Sequence, residues 1–588
     1  MTYVPPLKDI RFALAIAGGP SPDIADAVLE EAARFARDVL ARNDRPGDLA
    51  PARLENGAVV TSPGYRDAYK KFTQAGWNGI AGSEDFGGQG LPHALGVAVN
   101  EMWQGAGLAF GLCPLLTQGV IDALTIHGTD EQKRAYLPKL ISGQWTGTMN
   151  LTEPQAGSDV GALKTRAVKA DDGSYRITGT KIFITWGEHD CAENIIHLVL
   201  ARLLDAPPGT RGISLFLVPK FLPNADGLPG ARNDVVCAGL ERKLGIHGSP
   251  TCIMAYGEKG GAIGYLVGAE NKGMAAMFTM MNAARLNVGI QGVGIAEAAL
   301  QKAAAHARER KQGRALTAPA AESSPIIEHP DVRRMLMTMK ALTEASRALC
   351  YANAAAVDHA RHDMDANSRA HARAREELLT PVSKAWSTDN AVTVASLGVQ
   401  VHGGMGFIEE TGAAQFYRDA RILPIYEGTN GIQAIDLVTR KLGLEDGQAV
   451  HRFIGAIAAE ASELEAKDGA LGEIGACINM AVNTLGETTQ WLQSALKGNR
   501  AAKALAGATP YLDMFGRVAG AHFLARGAAN ASDKLANGAT DRAWLEERIA
   551  VARFFALNIL PLTAGLKSAV IEGGDELLDK FPKNLGEA

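Results

Sequence analysis

Residues 424–437 read PIYEGTNGIQAIDL. One carboxylate, Glu427, follows Tyr426 and precedes Gly428, Thr429, Asn430 and Gly431. Pro424 disfavours helix at Leu423, so the chain turns there. Thr429 or Asn430 can cap a helix that begins near Ile432, and a helix N-terminus favours anions, pyrophosphate included. Glu427 thus stands where irregular backbone meets a helix start. Two readings compete. A solvated loop glutamate is common on any surface. Against it stand Ile422, Leu423, Ile425 and Tyr426. A carboxylate enclosed by them holds its proton more tightly, which suits a base for a carbon acid.

A second stretch, MNLTEPQAGSDVGALKTRA at 149–167, places the hydroxyls of Thr152 and Ser158 around Gly157. Such a turn can hydrogen-bond a heteroaromatic edge and a phosphate. FITWG follows at 183–187, so Phe183 offers an aromatic face and Thr185 a hydroxyl, as a flat cofactor needs. A plain strand pair with a polar turn accounts for the same residues equally well.

The elements that position these groups follow from periodicity. Residues 22–142 read as mostly helical, with a Ser21-Pro22 start. The character changes near Trp145. GSYRITGTKIFIT (173–185) alternates as a strand after an Asp172-Gly173 turn, and NIIHLVLARL and GISLFLVPKFL are short apolar strands. This β-rich block ends near Val267-Gly268. From Met274 the pattern is helical again, beginning with one long helix through Lys311. Its Gly289, Gly292 and Gly294 follow no strand, so they read as helix packing sites and not as a dinucleotide loop. Residues 314–330 form a Pro/Ser-containing connector, and two further helices complete a bundle. After Leu444 about four more helical stretches carry no polar constellation and read as a packing or oligomerisation unit. In one, Ile474, Ile478, Val482, Leu485, Leu492 and Leu496 form a stripe. The expected fold is α+β and multidomain: an N-terminal α-helical domain (1–144), a middle β-barrel-like domain (145–273), a C-terminal four-helix bundle (274–444) and an extra α-helical domain (445–588).

At 588 residues and 47% hydrophobic composition the chain can bury several cores. Its net charge of −5 argues against nucleic acid as the main partner. Six cysteines, Cys113, Cys191, Cys237, Cys252, Cys350 and Cys477, form no CxxC pair, so no structural metal is expected. They read as reduced thiols of a cytoplasmic protein. FALAIAGG near the N-terminus is too short and too acidic in its flank for a signal peptide. AVTVASLGVQVHGGMGF is broken by Gln400, His402 and glycines, and no membrane span is expected.

LTEPQAGSDVGALKTRA with KIFIT, then GVQVHGGMGF and RDARILPIYEGTNGIQ, resembles the acyl-CoA dehydrogenase family in order and spacing over roughly residues 40–442. The tail after 445, with ERKLGIHGSPTC and ARERKQGR, resembles a longer subgroup with an additional helical domain. The resemblance implies bound FAD and loss of two hydrogens across Cα–Cβ of an acyl-CoA. It places Glu427 as the base for the α-proton while hydride leaves from Cβ to flavin N5. It implies that the backbone N–H of Glu427 holds the thioester carbonyl, with Arg285, Ser158, Tyr426 and Gly428 on the substrate side. For FAD it implies Met149, Leu151, Thr152 and Ser158 along a strand and turn, Phe183 against the ring and Thr185 near N5. Arg310 corresponds to an arginine that reaches a neighbouring subunit's pyrophosphate. Gln400, Gly403, Gly404 and Thr429 correspond to the adenosine contacts. Without the resemblance, Arg285 reads as a surface helix arginine. Some relatives carry the base beside the Arg285 position, where this chain has NAARLN without an acid. Gln312-Gly313-Arg314 replaces the usual Thr-Phe-Gly, and Gly431 stands where many members have Gln.

The expected function is dehydrogenation of 3-methylmercaptopropionyl-CoA or a similar short or medium acyl-CoA by a homodimer that passes electrons to an electron-transfer flavoprotein. A straight-chain fatty acyl-CoA dehydrogenase is the alternative. An acyl-CoA oxidase and a non-catalytic scaffold are further readings. The closing NLGEA offers no peroxisomal address for the oxidase.

Overall fold

The computed structural model describes residues 3–316, 323–582 and 584–586. Residues 317–322 of the expected connector lie outside them. The apolar run near the N-terminus forms helix α1 (Leu7–Ala17), ended by Gly18 at φ 80°. The predicted helix from Pro22 runs to Phe35 and continues through a π-helical turn, Ala36–Leu40, into Ala41–Leu49. Helices Tyr65–Gln74, His93–Ala106, α2 (Leu108–His127) and Asp130–Ile141 complete the N-terminal part. α2 amends one expectation. It is long and apolar enough to cross a membrane, with mean hydropathy 1.5 over an 18-residue window, and 78% of that window is buried inside the protein. Apolar residues all round this helix match its burial on all sides.

The middle sheet has eight strands: β1 (Trp145–Asn150), β2 (Arg166–Lys169), β3 (Tyr175–Thr185), β4 (Asn194–Leu203), β5 (Ile213–Pro219), β6 (Val235–Leu240), β7 (Thr251–Tyr256) and β8 (Ala262–Val267). They lie in the order β6-β7-β3-β8-β5-β4-β1. β2 also pairs with β3 on one side and β4 on the other, which closes a ring β3-β8-β5-β4-β2. A closed ring leaves its strands no free edge. The apolar alternation of β3 and β4 fills it with Ile177, Ile184, Val199 and Ala201, all buried.

Three long helices follow: α3 (Gly273–Glu309), α4 (Pro330–His362) and α5 (Ala366–His402). The glycines of α3 are sites of close approach. A Cβ on Gly289 would lie 2.5 Å from Ser383 O, and one on Gly292 2.8 Å from Ser387 O, both on α5. Helix α6 (Asn430–Thr439) closes the bundle. The remaining helices include Gln448–Glu465, Ala470–Lys497, α7 (Ala508–Ala536) and Arg542–Asn558. α7 packs on α5 and α6. There Trp386 of α5 fills a notch made by Gly516 and Gly520, and its Nε1 donates to Asp513 Oδ1 at 3.2 Å.

A buried ion network ties the N-terminal part to the bundle. Arg347 on α4 donates to Glu101 Oε1 at 2.8 Å and to Glu297 Oε2 at 2.9 Å, and Tyr351 donates to Glu101 Oε2 at 2.6 Å. Arg347 is 1% exposed. Removing one member of such a network strands a buried charge. We expect Arg347→Met to lose about 3–5 kcal/mol in chemical denaturation, and Glu101→Gln to lose less because it removes charge and keeps the hydrogen-bonding shape.

Candidate active site

Helix α6 begins two residues before Ile432. Thr429 is its N-cap, with Oγ1 accepting the Ile432 N–H at 3.3 Å. Asn430 N–H donates back to Pro424 O at 3.0 Å, which pulls residues 424–430 into a tight corner. Glu427 sits at its apex at φ 58°, a left-handed conformation rare outside glycine, and Gly428 follows at φ 80°. An irregular corner held this way re-aims one side chain inward. Oε1 of Glu427 is enclosed and accepts no hydrogen bond among the described residues. The expected apolar wall is partly corrected: Leu423 is buried but Ile425 is 51% exposed and turns away. Tyr426 instead points inward and donates to Gln291 Oε1 on α3.

Burial raises the Glu427 carboxyl from 4.5 to about 7, against the downward pull of Arg285 and Lys384. Arg285 is 5% exposed, so it is no surface helix arginine. It reaches Asp436 Oδ2 on α6 at 3.5 Å, and its Nη2 lies 3.8 Å from where a Gly428 Cβ would be. Lys384 on α5 donates to Asn430 Oδ1 at 2.8 Å, and burial pushes its ammonium down to about 7. Sequence reasoning missed Lys384. Its only signal was a single lysine inside the apolar run LLTPVSKAW.

The second group lies on the barrel. Between β3 and β7 the register shifts: Cys252 faces Ile184, whereas Met254 faces Lys181. Two residues of β3 thus oppose one of β7, which is a β-bulge. At the bulge Phe183 adopts φ 59° and the residue is 57% exposed. Ile182 N–H donates to Thr152 O at 2.9 Å, so the 151–158 turn lies beside Phe183. The side-chain hydroxyls of Thr152, Ser158 and Thr185 have no hydrogen-bond partner among the described residues. Met149 and Leu151 lean on the core below, and a Cβ on Gly157 would meet nothing within 4 Å. Beneath the turn, buried Lys181 donates to Leu151 O at 3.0 Å and to Glu153 Oε1 at 2.8 Å, fixing its height. An exposed aromatic ring beside open hydroxyls and a glycine fits a flat cofactor with a phosphate tail.

The third group gathers where α3 and α5 end. Arg310 follows α3 and is exposed. Gln400, Gly403 and Gly404 are exposed at the end of α5, with Gly403 at φ 61°. His306 and His402 stack at 4.4 Å and hold the two ends together. The Gln312–Gly313 departure folds into a return, with Gln312 N–H on Ser324 O and Ser324 N–H on Gly313 O. No hydrogen bond or ion pair between the described residues joins this group directly to Glu427. The first two groups are bridged by the N-terminal domain. Trp186, next to Thr185, donates to Ala109 O at 3.1 Å, Gln104 donates to Gly111 O at 3.2 Å, and Gln291 links Gln104 to Tyr426.

The sequence matches the acyl-CoA dehydrogenase N-terminal domain over residues 23–144, the middle domain over 148–257 and the C-terminal domain over 271–442. The chain belongs to the acyl-CoA dehydrogenase family. It is an oxidoreductase that acts on acyl-CoA with FAD as cofactor. Residues 451–580 match the acetyl-CoA dehydrogenase C-terminal-like domain. Among its relatives, the 3-methylmercaptopropionyl-CoA dehydrogenase of Ruegeria pomeroyi is 48% identical over 98% of this chain and 99% of its own length. A butyryl-CoA dehydrogenase of Syntrophomonas wolfei is 34% identical over 95% of this chain and 93% of its own. The crystal structure of Caenorhabditis elegans ACDH-11 in complex with C11-CoA shares the fold, with a TM-score of 0.79 at 20% identity over 99% of this chain and 96% of its own.

Two expectations follow for this dehydrogenase. Phe183→Ala is expected to weaken FAD binding about tenfold, the worth of one aromatic contact, in a fluorescence titration. The second concerns stability. Glu427 holds its proton more tightly folded than unfolded, so folding loses stability as pH rises from 4.5 to about 7. Glu427→Gln removes that penalty. In FAD-free protein it should stabilise by roughly 3 kcal/mol at pH 8 and leave stability nearly unchanged at pH 4, as read by denaturant titration.

Proposed function

We propose that this enzyme oxidises 3-methylmercaptopropionyl-CoA, or a short acyl-CoA close to it, to the trans-2-enoyl-CoA, with Glu427 as the base. The substrate rests on one observation: 48% identity along nearly the whole chain, extra domain included, to a 3-methylmercaptopropionyl-CoA dehydrogenase. The role of Glu427 is supported by the geometry of its corner. A carboxylate that is enclosed and unpartnered at Oε1 has a free lone pair for the acidic α-hydrogen of a thioester. The backbone N–H of Glu427 donates to nothing among the described residues, so it is free to hold the thioester oxygen as enolate charge develops. Arg285, close to Gly428, keeps Glu427 from binding its proton too tightly to release it.

FAD supplies the acceptor for the β-hydride. Phe183, Thr185, Thr152 and Ser158 would hold its ring and phosphates, with Met149 and Leu151 as the floor. Gln400, Gly403, Gly404 and Thr429 would take the adenosine end, and Arg310 would reach the pyrophosphate of a neighbouring subunit's FAD. We place the second copy of a homodimer against the exposed ends of α3 and α5, beside Phe407, which is 86% exposed. An electron-transfer flavoprotein is the proposed acceptor. Six unpaired cysteines agree with a reducing, cytoplasmic setting.

A second reading, a straight-chain acyl-CoA dehydrogenase, is favoured by the butyryl-CoA relative. Anaerobic mixing with thioesters from butyryl- to palmitoyl-CoA and 3-methylmercaptopropionyl-CoA separates the two. Fastest flavin bleaching by the sulfur thioester is expected, and faster bleaching by a straight chain would overturn it. Peroxide release in air would point to an oxidase. Glu427→Gln should keep FAD and ligand binding while bleaching slows at least 10³-fold.

A further inference from the structure

We propose that Lys384 and Asn430 form a positioning pair for Glu427, and that the extra C-terminal domain anchors this pair through Trp386 and Asp513. The inference rests on Glu427 being the base.

Asn430 stands three residues after Glu427 and is the first residue of α6. Its side chain is held from α5 on both faces. Oδ1 accepts from Lys384 Nζ at 2.8 Å, and Nδ2 donates to Ala385 O at 3.1 Å and Asp389 Oδ1 at 2.8 Å. A corner with a left-handed glutamate at its apex needs its ends pinned, and this clamp pins the C-terminal end. Lys384 is 0% exposed. A buried lysine is costly unless its charge is used, and the charges it faces are Glu427 and Asp389. The groups around Glu427 are Arg285 from α3, Lys384 and Asp389 from α5, Asp436 from α6 through Arg285, and Tyr426 beside it.

Two residues after Lys384, α5 turns Trp386 toward the extra domain. The ring sits so close that a Cβ on Gly516 would lie 2.3 Å from its Cγ and one on Gly520 2.8 Å from the ring edge. The Trp386 Nε1–Asp513 bond fixes the same turn. One helical turn thus faces the base corner on one side and the extra domain on the other. α7 also packs directly on α6. The register of α5 against α6, and hence the reach of Lys384 to Asn430, is set from α7.

The test is the pH dependence of flavin bleaching by the preferred acyl-CoA in holoenzyme. Lys384→Met removes a positive charge near Glu427, so the acidic limb should move about one pH unit toward alkaline. Lys384→Arg keeps the charge and should leave the limb near wild type. Asn430→Ala is the second variant if Lys384→Met fails to fold, and it should shift the limb the same way. Trp386→Phe removes the Asp513 bond and should shift it in the same direction by a smaller amount. A rate lowered equally at every pH in Lys384→Met and Asn430→Ala would make the pair merely structural and overturn the proposal. A limb unmoved in Trp386→Phe would detach the extra domain from the site. Glu427→Gln is the control: if it bleaches normally, the base assignment fails, whereas an inactive Glu427→Gln with an unmoved Lys384→Met limb refutes the pair alone.

Discussion

The site depends on keeping a carboxylate out of water without neutralising it. For the role proposed for Glu427, a fully salt-bridged carboxylate would be too weak a base, and a solvated one would be an ordinary surface acid. The chain keeps Oε1 enclosed and unpartnered and sets cations nearby that are occupied elsewhere: Arg285 with Asp436, Lys384 with Asn430. Each cation is supplied by a different long helix, so the corner works only when α3, α5 and α6 are packed together. The glycines of α3 that admit the α5 backbone are therefore part of the same requirement.

The barrel contributes a second constraint of the same kind. A bulge in β3 turns Phe183 outward at a positive φ, and the buried Lys181–Glu153 pair fixes the turn beside it. The Glu427 corner and the Phe183 platform come from separate domains. They are kept in register by the start of α2, which takes hydrogen bonds from Trp186 on one side and Gln104 on the other.

Much of the architecture could be read from periodicity. The strand at 175–185, the single helix through Glu309 and the glycines as packing sites all emerged from spacing, because burial imposes its period directly on the residues. The Thr429 cap was legible from residue type. What spacing left open was every feature created by distant contacts. Arg285 could not be told from a surface arginine, because its burial depends on α6, more than 140 residues later. Lys384 gave no reason for its presence until Asn430 and Trp386 were placed around it. The apolar length of α2 was missed because Pro114 and the glycines break its appearance but not its helix. The site residues themselves rested on resemblance, since a glutamate at a glycine-rich corner has an innocent reading whenever its surroundings are unknown.

The first ordered helix carries a consequence for how the molecule is made. Asp9 on α1 accepts from Trp544 Nε1 and Arg548 Nη1, each at 3.0 Å, and Phe12 meets the Trp544 ring edge-on with centroids 5.1 Å apart. Asp9 therefore gains these two partners only once residues more than 530 positions later have been made. Barrel and bundle can assemble during synthesis, but this contact forms only after Trp544 and Arg548 have been made. A chain truncated before residue 544 would leave Asp9 with Lys340 and remove Trp544 and Arg548, so the seating of α1 depends on a segment of the extra domain.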